Sequence, residues 1–126
     1  MRESELERIL VDEVRKVGGR AYKWVSPGND GVPDRIVFLP GGKVSLVELK
    51  TDRGKLSAQQ KIQINRLKKL GQDARVVRGL TGLAAFFYEA GYRDTASKLY
   101  WRSLHKEVMP DEGEVQQAAE PDEFFD

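Results

Sequence analysis

The sequence predicts an α/β fold: a mixed central sheet of about four strands flanked by helices, in the order αβββαβ with further helices after it. Three observations carry that expectation. Residues 33–50 hold two aliphatic, β-branched-rich runs on either side of Pro40-Gly41-Gly42, the punctuation of a hairpin. A helical pattern over 57–70 then separates the second run from a further short apolar run at 74–78. A helix joining two strands is a crossover, so strands 43–50 and 74–78 should lie parallel in one sheet.

Residues 3–17 read as an amphipathic helix ended by Gly18-Gly19, with Leu6, Ile9, Leu10, Val14 and Val17 on its apolar stripe. Glu3 and Glu13 fall beside that stripe and Glu7 lies on its margin. Acids in a first turn ordinarily complement the helix dipole. Residues 20–26 alternate as a strand does, placing Tyr22 and Trp24 on one face and Lys23 and Val25 on the other. Aromatics on a strand belong to a core more often than to a platform on which bases stack, so both are assigned to the core. Pro27-Gly28-Asn29-Asp30-Gly31 is a loop.

Asp34 opens the first hairpin strand, and the second ends in Glu48 and Lys50. Side chains two apart on a strand share a face, so Glu48 and Lys50 point together, as do Val44 and Leu46. That face turns from apolar to charged at one end. Buried charges there are costly unless something uses them.

After a polar turn at 51–55, Ser57 and Gln60 form a capping box at the head of the helix that runs through Leu70. Gln60, Ile64 and Leu67 recur at helical spacing, so Gln60 also heads the buried face. The capping role and an inward role compete for the one amide. Lys61, Lys68 and Lys69 lie away from that face. Thr81 is expected to cap a helix whose Leu83, Ala84, Phe86, Phe87 and Ala90 pack on the sheet. Residues 94–106 form another helix, with Ala96, Leu99, Tyr100 and Leu104 apolar and Trp101 unassigned. It either caps the sheet or meets a second subunit, and His105 in it reads as a surface residue.

The chain of 126 residues has room for one domain, expected over 1–106, with an appendage at 107–126. Without cysteine it has neither a disulfide framework nor a thiolate metal site. No run approaches membrane-spanning length, and the expectation is a soluble, intracellular protein. The net charge of +1 conceals an asymmetry: residues 1–106 carry 21 Lys and Arg against 12 acids, whereas 107–126 carry 8 acids and no base. That acidic tail is expected to be disordered. A basic body suits a phosphate-bearing partner; equally, such charges simply solvate helix faces, and charge alone does not separate the two.

Gly31-Val32-Pro33-Asp34-Arg35, the hairpin, Val47-Glu48-Leu49-Lys50 and then Ser57-x-x-Gln60, in that order, resemble the VRR-NUC domain of the PD-(D/E)xK nuclease superfamily. The small stand-alone, virus-type members are the nearest in character. The resemblance covers residues 1–90 and stops before the C-terminal quarter. It implies a restriction-endonuclease-like core and a divalent-metal-dependent DNA endonuclease. By that resemblance Asp34, Glu48 and the Leu49 backbone carbonyl ligate Mg²⁺ or Mn²⁺, with Glu7 contributing directly or through water and Glu3 in reserve. Lys50 would hold or deprotonate the attacking water and steady transition-state charge, and Gln60 would approach Lys50 and the scissile phosphate. Lys23, Arg35, Arg53, Lys55 and Lys61 are the expected DNA contacts. Stand-alone members look like junction-resolving nucleases, which implies a homodimer on branched, flap or Holliday-junction-like DNA.

Two other readings use the same residues. One is a DNA-binding module that keeps the fold without cutting. The other is an interaction domain whose basic body is masked by its own acidic tail. The nuclease reading needs three carboxylates and one ammonium to meet around one cation.

Overall fold

The hairpin at the centre of the chain becomes the middle of the sheet. In the computed structural model, which describes residues 1–108, helix α1 (Glu3–Lys16) leads into strands β1 (Arg20–Lys23), β2 (Arg35–Leu39) and β3 (Lys43–Lys50). Helix α2 (Ala58–Lys69), strand β4 (Ala74–Arg78) and helices α3 (Gly79–Glu89) and α4 (Arg93–Val108) follow. The strands lie side by side in chain order. β1–β2 and β2–β3 are antiparallel and β3–β4 is parallel, as a helical crossover between the last two requires. The sheet is therefore mixed, in an α/β restriction-endonuclease-like arrangement.

One face of the sheet makes the core. Val37, Val47, Leu49 and Val77 meet Leu6, Leu10 and Val14 of α1 and Leu83 and Phe87 of α3. Alternation along β3 sends Val44, Leu46, Glu48 and Lys50 to the opposite face. There α2 lies over the β4 side with Gln63 and Ile64 buried. α4 packs on α3 through buried Ala96 and Leu99, while Tyr100 and Leu104 stand exposed. Glu13 of α1, 2% exposed, takes Lys98 of α4 at 3.1 Å and so ties the first helix to the last.

Several expectations change. β1 ends at Lys23 rather than 26, because its partner β2 begins only at Arg35; one further bond, Trp24 N–H to the Asp34 carbonyl at 2.9 Å, closes the ladder. Tyr22 is not in the core but 58% exposed, and Trp24 is half-buried. The core position on β1 belongs to Ala21, small enough to fit beneath α1. Thr81 does not cap α3: the helix starts two residues earlier, with Arg78 as N-cap and no side-chain cap bond. The Asp52 carboxylate instead lies where a side chain on Gly79 would be, putting negative charge at the helix N-terminus. The acidic tail, from 109 on, lies outside the described residues. Among the described residues no helix is long and apolar enough to cross a membrane.

Candidate active site

Strand register brings the chemistry together. Lys23, Arg35 and Val47 align across β1–β2–β3, so the next row along holds Trp24, Asp34 and Glu48. Two residues beyond Glu48, Lys50 lies on the same face of β3.

Glu48 is 1% exposed. Its Oε2 accepts from Gln60 Nε2 at 2.9 Å and lies 3.8 Å from Lys50 Nζ. Its Oε1 is buried with no hydrogen-bond partner among the described residues. Such an oxygen is an uncommon and costly feature of a folded protein. Burial, the charge of Asp34 and that of Glu3 push the Glu48 carboxyl up from 4.5 to about 7, against the opposing pull of Lys50 and of the Asp34 backbone.

Asp34 sits just ahead of β2, and its Oδ2 accepts the Leu49 N–H at 2.9 Å. The N–H and C=O of one strand residue face the same neighbour. The Leu49 carbonyl therefore points to the Asp34 edge, beyond the last β2–β3 pair, Arg35 with Val47. Lys50, with a side chain only 12% exposed, sits between Glu48 and Glu3, its Nζ 3.8 Å from a carboxylate oxygen of each.

Gln60 bonds both as a cap and inward, with Glu48 as its inward partner where Lys50 was expected. Its Oε1 accepts the Ser57 N–H at 2.9 Å, completing the capping box, while its Nε2 serves Glu48. The competition expected from the sequence does not arise, because an amide has an acceptor at one end and a donor at the other. Gly31 lets a neighbouring loop come close to Gln60. A Cβ at position 31 would stand 2.5–2.8 Å from backbone atoms of Gln59 and Gln60, so the loop before Asp34 packs directly on the first turn of α2.

The acids of α1 divide. Glu7 Oε2 takes Arg35 Nε at 2.8 Å, and the same guanidinium donates to the Ala21 carbonyl at 3.0 Å. Glu7 and Arg35 are thus engaged with each other at the edge of the group, whereas Glu3 is the α1 acid that reaches Lys50. Lys23, Arg53, Lys55 and Lys61 are all exposed. Arg78 reaches back to the Thr51 and Gly54 carbonyls and fixes the turn that carries Arg53 and Lys55. Sequence reasoning missed Arg78 and the neighbourhood of Trp24; the second was within reach, since carrying the alternation across the hairpin register gives it.

Among the described residues no three or more His, Cys, Asp or Glu gather closely enough to hold a metal ion by themselves. The meeting of three carboxylates expected from the sequence is therefore not found among these residues, Glu7 being turned to Arg35 instead; Mg²⁺ can be held by fewer. It is commonly held by one or two carboxylates together with waters and substrate phosphates. The orphaned Glu48 Oε1, Asp34 and the Leu49 carbonyl edge offer oxygen donors only, the set a hard cation prefers. The residues fit a divalent ion of that kind.

Comparison with known proteins bears on the family. The family model of the VRR-NUC domain matches residues 2–80. "Putative nuclease p44" of Acyrthosiphon pisum secondary endosymbiont phage 1 is 49% identical over 77 residues, covering 61% of this chain and 83% of its own. A solved VRR-NUC domain structure superposes with a TM-score of 0.58 at 24% identity, covering 78% of this chain and 92% of its own, a likeness of fold. The sequence motif, the mixed sheet and the family match over most of the folded body agree: this chain belongs to the VRR-NUC domain family.

Proposed function

We propose that this protein is a divalent-metal-dependent DNA endonuclease that hydrolyses phosphodiester bonds at the Asp34–Glu48–Lys50 group. The observation that carries the proposal is Glu48: a carboxylate buried on a strand, with one oxygen unsatisfied and the other held by Gln60. A structural acid at that depth would have both oxygens bonded.

Asp34, Glu48 and the Leu49 carbonyl would hold Mg²⁺ or Mn²⁺. When bound there, such an ion would supply charge to neutralise the phosphodiester and to acidify a water molecule. Lys50 holds the attacking water and donates to the charge that grows on the non-bridging oxygens as the new P–O bond forms and the bond to the leaving oxygen breaks. The water's proton passes to solvent, and the leaving oxygen takes one from it. Gln60 keeps the Glu48 carboxylate in one orientation, and Glu3 keeps Lys50 extended toward it. The exposed Lys23, Arg53, Lys55 and Lys61 supply positive charge for the DNA backbone. Arg35, held by Glu7 and the Ala21 carbonyl, positions α1 against the sheet.

The preferred substrate in this reading is branched DNA, cut by a homodimer in an intracellular setting. A chain of this size has little surface with which to recognise a junction alone, and a two-fold pair matches the symmetry of a four-way junction. The test is cleavage of synthetic branched and linear DNA with Mg²⁺ or Mn²⁺ by wild type, Lys50→Ala and Asp34→Asn. Asparagine keeps an acceptor for the Leu49 N–H, so the second variant should stay folded. Metal-dependent cutting by wild type alone is the expected result. Tight, salt-sensitive binding with no cutting by any of the three would leave a non-catalytic DNA-binding module instead.

A further inference from the structure

On the face that bears Glu48, the β1–β2 half of the sheet is left bare. Tyr22 and Phe38 are 58% and 41% exposed there, with ring centroids 5.8 Å apart in an edge-on pair. Val44, opposite Phe38 in the register, is 47% exposed. Single exposed apolar side chains are ordinary; a contiguous patch with aromatic rings marks an interaction surface.

The patch is continuous with the candidate site. Trp24, Asp34 and Glu48 share one cross-strand row, and Tyr22, Ile36 and Leu46 make the next. Two strand spacings across and two residues along separate Tyr22 from Glu48, about 12 Å between Cα atoms. Position selects the occupant. A strand whose phosphate reaches Glu48 must run over the surface beside it, and Arg20, on this same face opposite Phe38, lies at the far end of the patch from the two carboxylates. A nucleic-acid strand offers flat bases for the rings and a backbone that continues into the candidate site.

Resting on the nuclease reading above, we propose that Tyr22 and Phe38 are a stacking platform for unpaired nucleotides of the substrate strand adjoining the scissile phosphate. Trp24 stands between the platform and the carboxylates. Bases within a duplex already stack on one another and cannot use such rings; splayed or single-stranded bases can. The platform makes strands that are unpaired beside the cut the favoured substrates.

The experiment uses the full chain and the double variant Tyr22→Leu/Phe38→Leu, which keeps apolar cover and removes the rings. Binding is read by anisotropy without divalent ion, so that nothing is cut, on a single-stranded oligonucleotide carrying 2-aminopurine and on a blunt duplex. The expected result is a loss of about ten-fold or more in the preference for the single strand over the duplex. The 2-aminopurine quenching should weaken with it, and the ratio of flap to duplex cleavage with Mg²⁺ should fall. An unchanged preference overturns the platform. A double variant that sediments as a smaller species than wild type also overturns it, assigning the face to a second copy. Wild type that cuts no DNA defeats the nuclease reading itself, whereas cutting whose flap-to-duplex ratio ignores both substitutions removes the platform alone.

Discussion

Gln60 donates from its side-chain amide to Glu48 Oε2 at 2.9 Å while its carbonyl oxygen takes the Ser57 N–H at the same distance. A single residue therefore starts a helix and orients the deepest carboxylate of the site. Substitution can separate the two tasks. Gln60→Glu keeps the capping acceptor but sets a second carboxyl against Glu48; it should lower cleavage by about 10- to 100-fold and cost stability at pH 8 by like-charge repulsion, a cost that fades at pH 5 as the pair takes up a proton. Gln60→Ala should lose activity to a similar degree and about 1 kcal/mol of stability at either pH. Urea denaturation at both pH values beside initial cleavage rates checks both; equal stability losses in the two variants at pH 5 would refute the division.

Glu48 makes the metal-free protein sensitive to pH. Its folded-state value, pushed up to about 7, lies above the 4.5 of an unhindered carboxyl, so the folded form binds the proton more tightly than the unfolded form. The stability this contributes is complete below about pH 4.5 and drains away as pH rises through about 7. Glu48→Gln cannot ionise. Relative to wild type in chelator, it should gain stability from pH 5 to about pH 7 and level off above, followed by denaturant titration at each pH. Mg²⁺ should stabilise wild type more at pH 8 than at pH 6, because the ligand must be deprotonated, and should do little for Glu48→Gln.

Gly31→Ala tests the packing that aims Gln60. The residue has a φ of 90°, and an added Cβ would meet the Gln59–Gln60 backbone. The strain and the displaced helix turn should cost on the order of 2–3 kcal/mol. Cleavage should fall further than Gln60→Ala alone would account for, since the loop also carries Asp34. Full activity in a folded Gly31→Ala protein would contradict this.

Removing residues 109–126 leaves α4 whole and takes away an acidic, base-free segment. Affinity for DNA at low salt should rise and the difference should vanish as salt is added, as for any screened repulsion. Anisotropy titrations at two ionic strengths suffice, and unchanged affinity would dispose of masking by the tail.

Much of this molecule is legible in its sequence wherever a signal is local. The Pro40-Gly41-Gly42 turn, the Ser57–Gln60 box and the two apolar runs locate β2, β3 and α2 almost to the residue. The parallel pairing of β3 with β4 follows from the intervening helix. Signals made by distant contacts stay hidden. The start of α3 depends on Asp52 lying against Gly79, not on Thr81 nearby in sequence. Which α1 acid reaches Lys50 depends on how that helix is rotated on the sheet. Periodicity puts Glu3, Glu7 and Glu13 all near the stripe, whereas packing sends them to Lys50, Arg35 and Lys98 respectively. Tyr22 shows a third limit: alternation assigns a side chain to a face, but says nothing of whether that face is covered.

Both acids of the proposed metal site ride on one short hairpin, closed by a loop of three residues between Leu39 and Lys43. The loop is in effect a ruler. Slipping one strand past the other by a single position would carry Glu48 through the sheet to lie among Leu6 and Leu10, and would bring Val47 or Leu49 out in its stead. The length of that connection, remote from any phosphate, thus sets whether the carboxylates meet at all.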